Sequence, residues 1–147
     1  NGASLTNLDA SKITGEITLA QLSQEIKDFL LPKVGDRKFG GIVFKINDDG
    51  CSGLVCAVSD EGLGTKSECD ILCQDCREGG FKDWRLPTKY ELTLMYNKLY
   101  KTGLAVFYGR YNGDDSGGVW NLKFNEAGES YPNGSNSKSF ARAVRAF

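Results

Sequence analysis

The chain has 147 residues, 40% apolar and 25% charged, with a net charge of −1 and no histidine. That length fits one domain with a short appendage, able to bury roughly two-thirds of its unfolded surface. No apolar run approaches the roughly 20 residues that cross a bilayer, no signal peptide is present, and the lack of histidine removes the usual general base.

The near-neutral total conceals an asymmetry. Residues 1–81 carry eight basic and thirteen acidic side chains, whereas residues 82–147 carry ten and six. A basic C-terminal portion points to an anionic partner, against the alternative of a solvated face without one. The chain starts at Asn1 without a methionine and reads as the C-terminal fragment of a longer protein.

Taken in order, residues 1–17 are polar and irregular, an extended leader. Thr18 then has the character of an N-cap, with Gln21 completing a capping box. Leu19, Leu22, Ile26 and Phe29 follow at spacings of three, four and three, which is a heptad seam, and Pro32 ends the run. The expectation is a helix over about 18–31, too short to be stable alone. It either docks on its own domain or gathers several copies into a parallel coiled coil, and its separation by Pro32 and Gly35 favours the oligomer. Residues 1–36 thus form leader plus oligomerisation helix, and residues 37–147 the globular domain.

Gly40 to Ile46 and Ser52 to Val58 read as two strands of a hairpin joined at Asn47-Asp48-Asp49-Gly50. Residues 59–82 show no clear periodicity beyond a short helical turn around Asp70 to Cys76. Five cysteines, Cys51, Cys56, Cys69, Cys73 and Cys76, fall within this central stretch. Cys56 sits in an apolar run as a small hydrophobe. Two disulfides and one free thiol are expected, implying an oxidising, extracellular setting, with pairing not deducible. A zinc site or five reduced thiols are the alternatives; zinc is disfavoured because no histidine is present to help complete four ligands.

Thr88 caps a second helix and Glu91 closes its capping box. Leu92, Met95, Tyr96 and Leu99 form its buried stripe, Gly103 ends it, and Lys98 and Lys101 lie on the opposite face. Ala105–Tyr108, Val119–Phe124 and Ser139–Phe147 are the remaining strands. Between them run two loops, Gly109–Gly118 and Asn125–Lys138, rich in Gly, Asn and Ser.

No set of residues amounts to a catalytic apparatus. Asp48-Asp49 and Asp114-Asp115 are read as turn residues, and no segment has the spacing of a known calcium loop. Neither cofactor nor metal is expected. Nucleic acid is disfavoured by the slight overall acidity and the lack of a reader motif. The remaining candidates are cations: Lys98, Lys101, Arg110, Arg77, Lys82, Lys123 and Lys138, spread over a surface as a polyanion requires. Arg142 and Arg145 alternate on the last strand, so at least one is expected to be structural.

Four motifs in order carry a resemblance: Gly40-Gly41-Ile42-Val43-Phe44, Gly53-Leu54-Val55-Cys56-Ala57, Asp83-Trp84-Arg85-Leu86-Pro87-Thr88 with Glu91-Leu92 and Met95-Tyr96, and Arg142-Ala143-Val144-Arg145-Ala146-Phe147. Over residues 39–147 the chain resembles a family of bacterial surface and phage-tail-associated domains. That family is related to the C-type-lectin fold and to formylglycine-generating-enzyme-like domains, and it includes the C-terminal domain of a collagen-like adhesin. The resemblance implies an α+β, C-type-lectin-like domain with antiparallel sheets and one main helix, trimeric beside such a stalk and displayed at the cell surface. It also implies a non-enzymatic adhesin that binds sulfated glycosaminoglycans or other anionic polysaccharides and contributes to attachment and biofilm. The lectin calcium signature is absent, since Tyr131-Pro132-Asn133 lacks the acid, so an electrostatic mode is expected. Two other readings are a trimerisation cap without ligand, and a receptor-binding tip anchored by Phe107, Tyr108, Tyr111 and Trp120.

Overall fold

The computed structural model describes residues 19–115, 118–133 and 137–147. The chain divides into two units, Asn1–Leu31 and Pro32–Phe147. In the first, Leu19–Gln21 make one 3₁₀ turn and helix α1 spans Gln24–Leu30. Ser23 caps α1, its hydroxyl accepting from the Ile26 amide at 3.4 Å. The helix is therefore shorter than expected, because the cap falls at Ser23; Thr18 lies outside the described residues. Of the seam residues only Ile26 and Phe29 are on the helix, and Leu19 and Leu22 precede it. No residue of α1 is buried, and Phe29 is 81% exposed.

The second unit is α+β with two sheets. One has the order β1-β2-β3-β9, formed by Arg37–Lys38, Gly41–Ile46, Gly53–Cys56 and Val144–Ala146, antiparallel throughout. The other has the order β4-β8-β5-β6-β7, formed by Gly62–Gly64, Ser139–Ala141, Gly109–Asp115, Gly118–Phe124 and Ser130–Asn133. It is mixed, because β5 and β8 meet in parallel at Tyr111 and Phe140. The expected hairpin is β2–β3, and it is tight: a Cβ at Gly53 would collide with the Lys45 carbonyl.

Helix α2 spans Lys66–Asp75 and α3 spans Lys89–Met95, continued by one π turn over Tyr96–Tyr100. Gly103, at φ +71°, stops this helix where the sequence places its end. Leu92, Met95, Tyr96 and Leu99 are all buried, packed with Ile42, Phe44, Phe107, Tyr111, Leu122 and Phe124 in the larger core cluster. A second cluster joins Val43, Val55, Ala57, Cys69, Cys73, Trp84, Leu86, Ala141 and Ala143.

Four expectations are corrected. The expected loop Asn125–Lys138 contains strand β7, which pairs with β6. The run Ser139–Phe147 is not one strand but two, β8 and β9, in different sheets. Between them Arg142 turns inward to an ion pair with Asp60. Within the expected loop Gly109–Gly118, Gly109–Asp115 is strand β5, pairing with β6 over seven residues. Gly113 is needed there, since a Cβ would press on the Leu92 side chain of α3. Ala105–Tyr108 lies outside any strand; its amides turn to local acceptors, Ala105 N–H to the Leu99 carbonyl and Tyr108 N–H to the Tyr111 hydroxyl.

Candidate binding surface on helix α3

The placement of α3 starts from its cap. Thr88 Oγ1 accepts from the Glu91 amide at 3.2 Å, and Glu91 Oε2 accepts from the Thr88 amide at 2.8 Å. Arg85 then forks onto the same carboxylate at 2.6 and 2.8 Å, tying the segment that leads into α3 to the helix. Burial alone would push the Glu91 carboxyl up; the Arg85 guanidinium and Thr88 outweigh it and hold the group below its ordinary value. With the apolar stripe buried, Lys98 and Lys101 stand on the exposed side.

The π turn alters this end of the helix. The Lys101 amide donates to the Tyr96 carbonyl at 3.0 Å, five residues back, which widens the coil under both lysines. Tyr96 and Tyr100 stack at 5.5 Å, and the Tyr96 hydroxyl donates to the Asn125 carbonyl at 2.8 Å. Together with Lys101 and Glu126 they line a groove of about 450 Å³. The Lys101 ammonium lies 5.9 Å from the Tyr96 ring. Neither Lys98 nor Lys101 has a carboxylate in ion-pair range among the described residues.

The other five cations do not join that end. Arg110 and Lys123 face each other across β5–β6. Strand alternation sends them away from Leu122 and Phe124, to the sheet face opposite α3. Lys123 also pairs with Glu129 at 3.8 Å. Arg77 folds back on its own chain, donating to the carbonyls of Gln74 and Cys76 at 2.7 Å. Lys82 is exposed beyond the Glu78–Gly80 turn, and Lys138 lies near Glu68 at the start of α2. Arg142 and Arg145 are both internal, paired with Asp60 and Asp83. The seven candidates thus form separate groups, and only Lys98 and Lys101 lie close in sequence at one helix end.

The cysteines differ from expectation. All five are free thiols, four of them buried. Cys69 and Cys73 are inner-face positions of α2, where the Cys69 sulfur contacts the Gly64 and Ser139 carbonyls at 3.4 Å. Burial pushes the thiols of Cys56 and Cys76 up, to about 12 and about 11, so they serve as small apolar groups. No cluster of three or more Cys, Asp or Glu among the described residues is arranged to hold a metal.

Sequence reasoning missed a second groove, of about 570 Å³, at the other end of α3. It is lined by Thr88, Lys89, Tyr90, Thr93, Asp114 and Asp115. Lys89 and Tyr90 directly follow a legible cap, so their exposure is available from the helical wheel. Asp114 and Asp115 read as loop residues because the composition of β5 favours turns. Of the aromatics proposed as receptor anchors, Phe107 and Tyr111 are core residues at 4% and 0% exposure; Tyr108 alone is open, at 68%.

No family model matches the chain, and no curated protein is significantly similar to it. No helix among the described residues is long and apolar enough to cross a membrane.

Proposed function

We propose that the second unit is a C-type-lectin-like adhesin domain that binds sulfated polysaccharides through the exposed end of α3. The observation that carries this reading is the pair Lys98 and Lys101. They stand three residues apart, in the π turn and just after it, both exposed and without carboxylate partners among the described residues, and Lys101 lines an aromatic groove. Both side chains are exposed at this end of the helix, from which each ammonium group is open to a sulfated chain. Each charge-assisted contact contributes about 1.5–3 kcal/mol, too little for firm attachment by one copy.

Three copies gathered through Ile26, Phe29 and the apolar residues before them supply the rest by raising effective concentration. The exposure of Phe29 and the absence of any buried residue on α1 support a partner for that helix. The setting is extracellular, at a bacterial surface, and the role is attachment rather than catalysis. The test is retention on immobilised heparin against the same matrix after chemical desulfation. The wild type is held by the sulfated matrix alone, and Lys98→Glu with Lys101→Glu elutes at clearly lower salt. Equal retention on both matrices, or unchanged elution of the double variant, contradicts the proposal.

A further inference from the structure

The second sheet carries a buried polar pair far from the chemistry of the lysines on α3. Asn112 of β5 and Asn121 of β6 stand opposite each other in the antiparallel register, and both are 0% exposed. Tyr111 and Leu122, beside them in sequence, belong to the larger core with α3. Alternation therefore sends both asparagines to the other face of the sheet. There Asn112 Nδ2 donates to the Gly64 carbonyl at 3.1 Å and lies 3.0 Å from the sulfur of Cys69 on α2. Ser139 of β8 joins the same neighbourhood, its carbonyl 3.4 Å from that sulfur.

The polar atoms left over are specific. Asn112 Oδ1, both Oδ1 and Nδ2 of Asn121, and Ser139 Oγ are buried without a hydrogen-bond partner among the described residues. Buried side-chain polar atoms in folded proteins are nearly always satisfied, by the protein or by ordered water, because an unmade bond is costly. Rotating the Asn112 amide gives no relief, since it would set the oxygen against the Gly64 carbonyl. The mixture of atoms decides what can satisfy them. A cation would serve the oxygens and be repelled by the Asn121 amide protons. An anion would serve those protons and be repelled by the oxygens. Water donates and accepts together, and is held where two to four polar partners meet it.

We infer that Asn112 and Asn121 form a site for an internal water. It accepts from Asn121 Nδ2 and donates to Asn112 Oδ1, leaving its second proton for the other oxygens of this face. The bridge ties β5 to β6 in the one register where the two amides meet. A slip of one residue would set Asn112 against Leu122 or Trp120 and break it. That constraint counts in β5, whose Gly, Asn and Asp residues specify a strand weakly. The site is independent of the polysaccharide reading.

The experiment is solution NMR of the full chain with the side-chain amides of Asn112 and Asn121 assigned. The Asn121 amide protons should show a cross-peak to water with the sign of a long-lived bound molecule. That peak should stay the same when sodium is exchanged for potassium and chloride for acetate. No scalar coupling should run across a direct hydrogen bond from Asn121 Nδ2 to the Asn112 side-chain carbonyl. Magnetic relaxation dispersion of water should count about one internal molecule fewer in Asn121→Leu than in the wild type. Lack of the water cross-peak, a direct amide–amide coupling, a saturating shift of these amides with any of the ions, or an undiminished count in Asn121→Leu overturns the inference. The first three are read on the wild type, so they decide the matter even where Asn121→Leu does not fold.

Discussion

Arg142 spends every donor group it has inside the protein. Its side chain is 2% exposed, and its Nε donates to Asp60 Oδ1 at 2.6 Å. Nη1 donates to the carbonyls of Ala57 and Val58, and Nη2 to that of Val106. The guanidinium also lies 4.6 Å over the Phe107 ring, while the Tyr111 hydroxyl donates to the other Asp60 oxygen at 3.0 Å. One residue thus joins the turn after β3, the extended segment before β5 and the β8–β9 crossing. Arg142→Ala strands the Asp60 charge, and equilibrium urea denaturation is expected to register a loss of about 3–5 kcal/mol. Exposed Lys98 and Lys101 make no ion pair among the described residues, and Lys101 only a distant approach to the Tyr96 ring, so their reversal changes stability by no more than about 0.5 kcal/mol.

Glu91 sets a pH limit at the same scale. Its folded carboxyl is held below the ordinary 4.5, so the folded state binds its proton less readily than the unfolded chain. The stability it contributes is fully present above that value and is lost as the pH falls through the folded pKa. Asp83, held down chiefly by its bond from Arg145, acts in the same direction. Thermal melts should therefore hold steady on acidification until the pH falls below about 4.5 and then decline. In Glu91→Gln the decline should be shallower, from a lower starting stability. An identical acid profile for that variant would show that the Arg85–Glu91 pair is not coupled to folding.

At the scale of elements, two capping boxes start the two helices of the domain. Thr65 Oγ1 accepts from the Glu68 amide and Glu68 Oε2 accepts from the Thr65 amide, the same reciprocal pair as Thr88 with Glu91. Thr65→Ala is expected to cost about 1 kcal/mol in denaturant unfolding. The Thr88 box is legible because Leu92, Met95, Tyr96 and Leu99 follow it at helical spacing. Thr65-x-x-Glu68 carries the same signature, yet α2 turns cysteines inward, and those residues also fit a disulfide framework. Strand β5 is hidden for another reason. Its Gly, Asn and Asp residues favour turns locally, and tertiary contacts override them: Gly113 lets α3 approach, and Asn112 donates to the Gly64 carbonyl at 3.1 Å. The alternation of the final run is plain in the sequence, but pattern alone does not reveal that a chain changes sheets midway.

At the scale of the whole molecule, net charge is a poor guide to what the surface offers. In residues 82–147 much of the acidic complement is held in place by Arg85, Arg145, Lys66, Lys89 and Lys123. Lys98 and Lys101 are left to solvent, which is why sequence places cations correctly at this helix yet groups them with five that lie elsewhere. Assembly belongs to this scale as well. Sedimentation should report a trimer for the intact chain, and Phe29→Ser with Ile26→Ser should shift it toward single subunits. A monomeric wild type would remove the multivalent part of the proposal and leave the single-domain site standing.

The measurement that bears most directly on the central claim is the salt dependence of affinity for a defined heparin oligosaccharide, taken for wild type and for Lys98→Glu with Lys101→Glu. Cations that pair with a polyanion release its counterions, so log K falls linearly with log salt, more steeply when more cations engage. The wild type should show a clear negative slope, and the double variant a shallower one, in proportion to the cations removed. A flat wild-type line, or parallel lines of equal affinity, would place the binding elsewhere or make it something other than electrostatic.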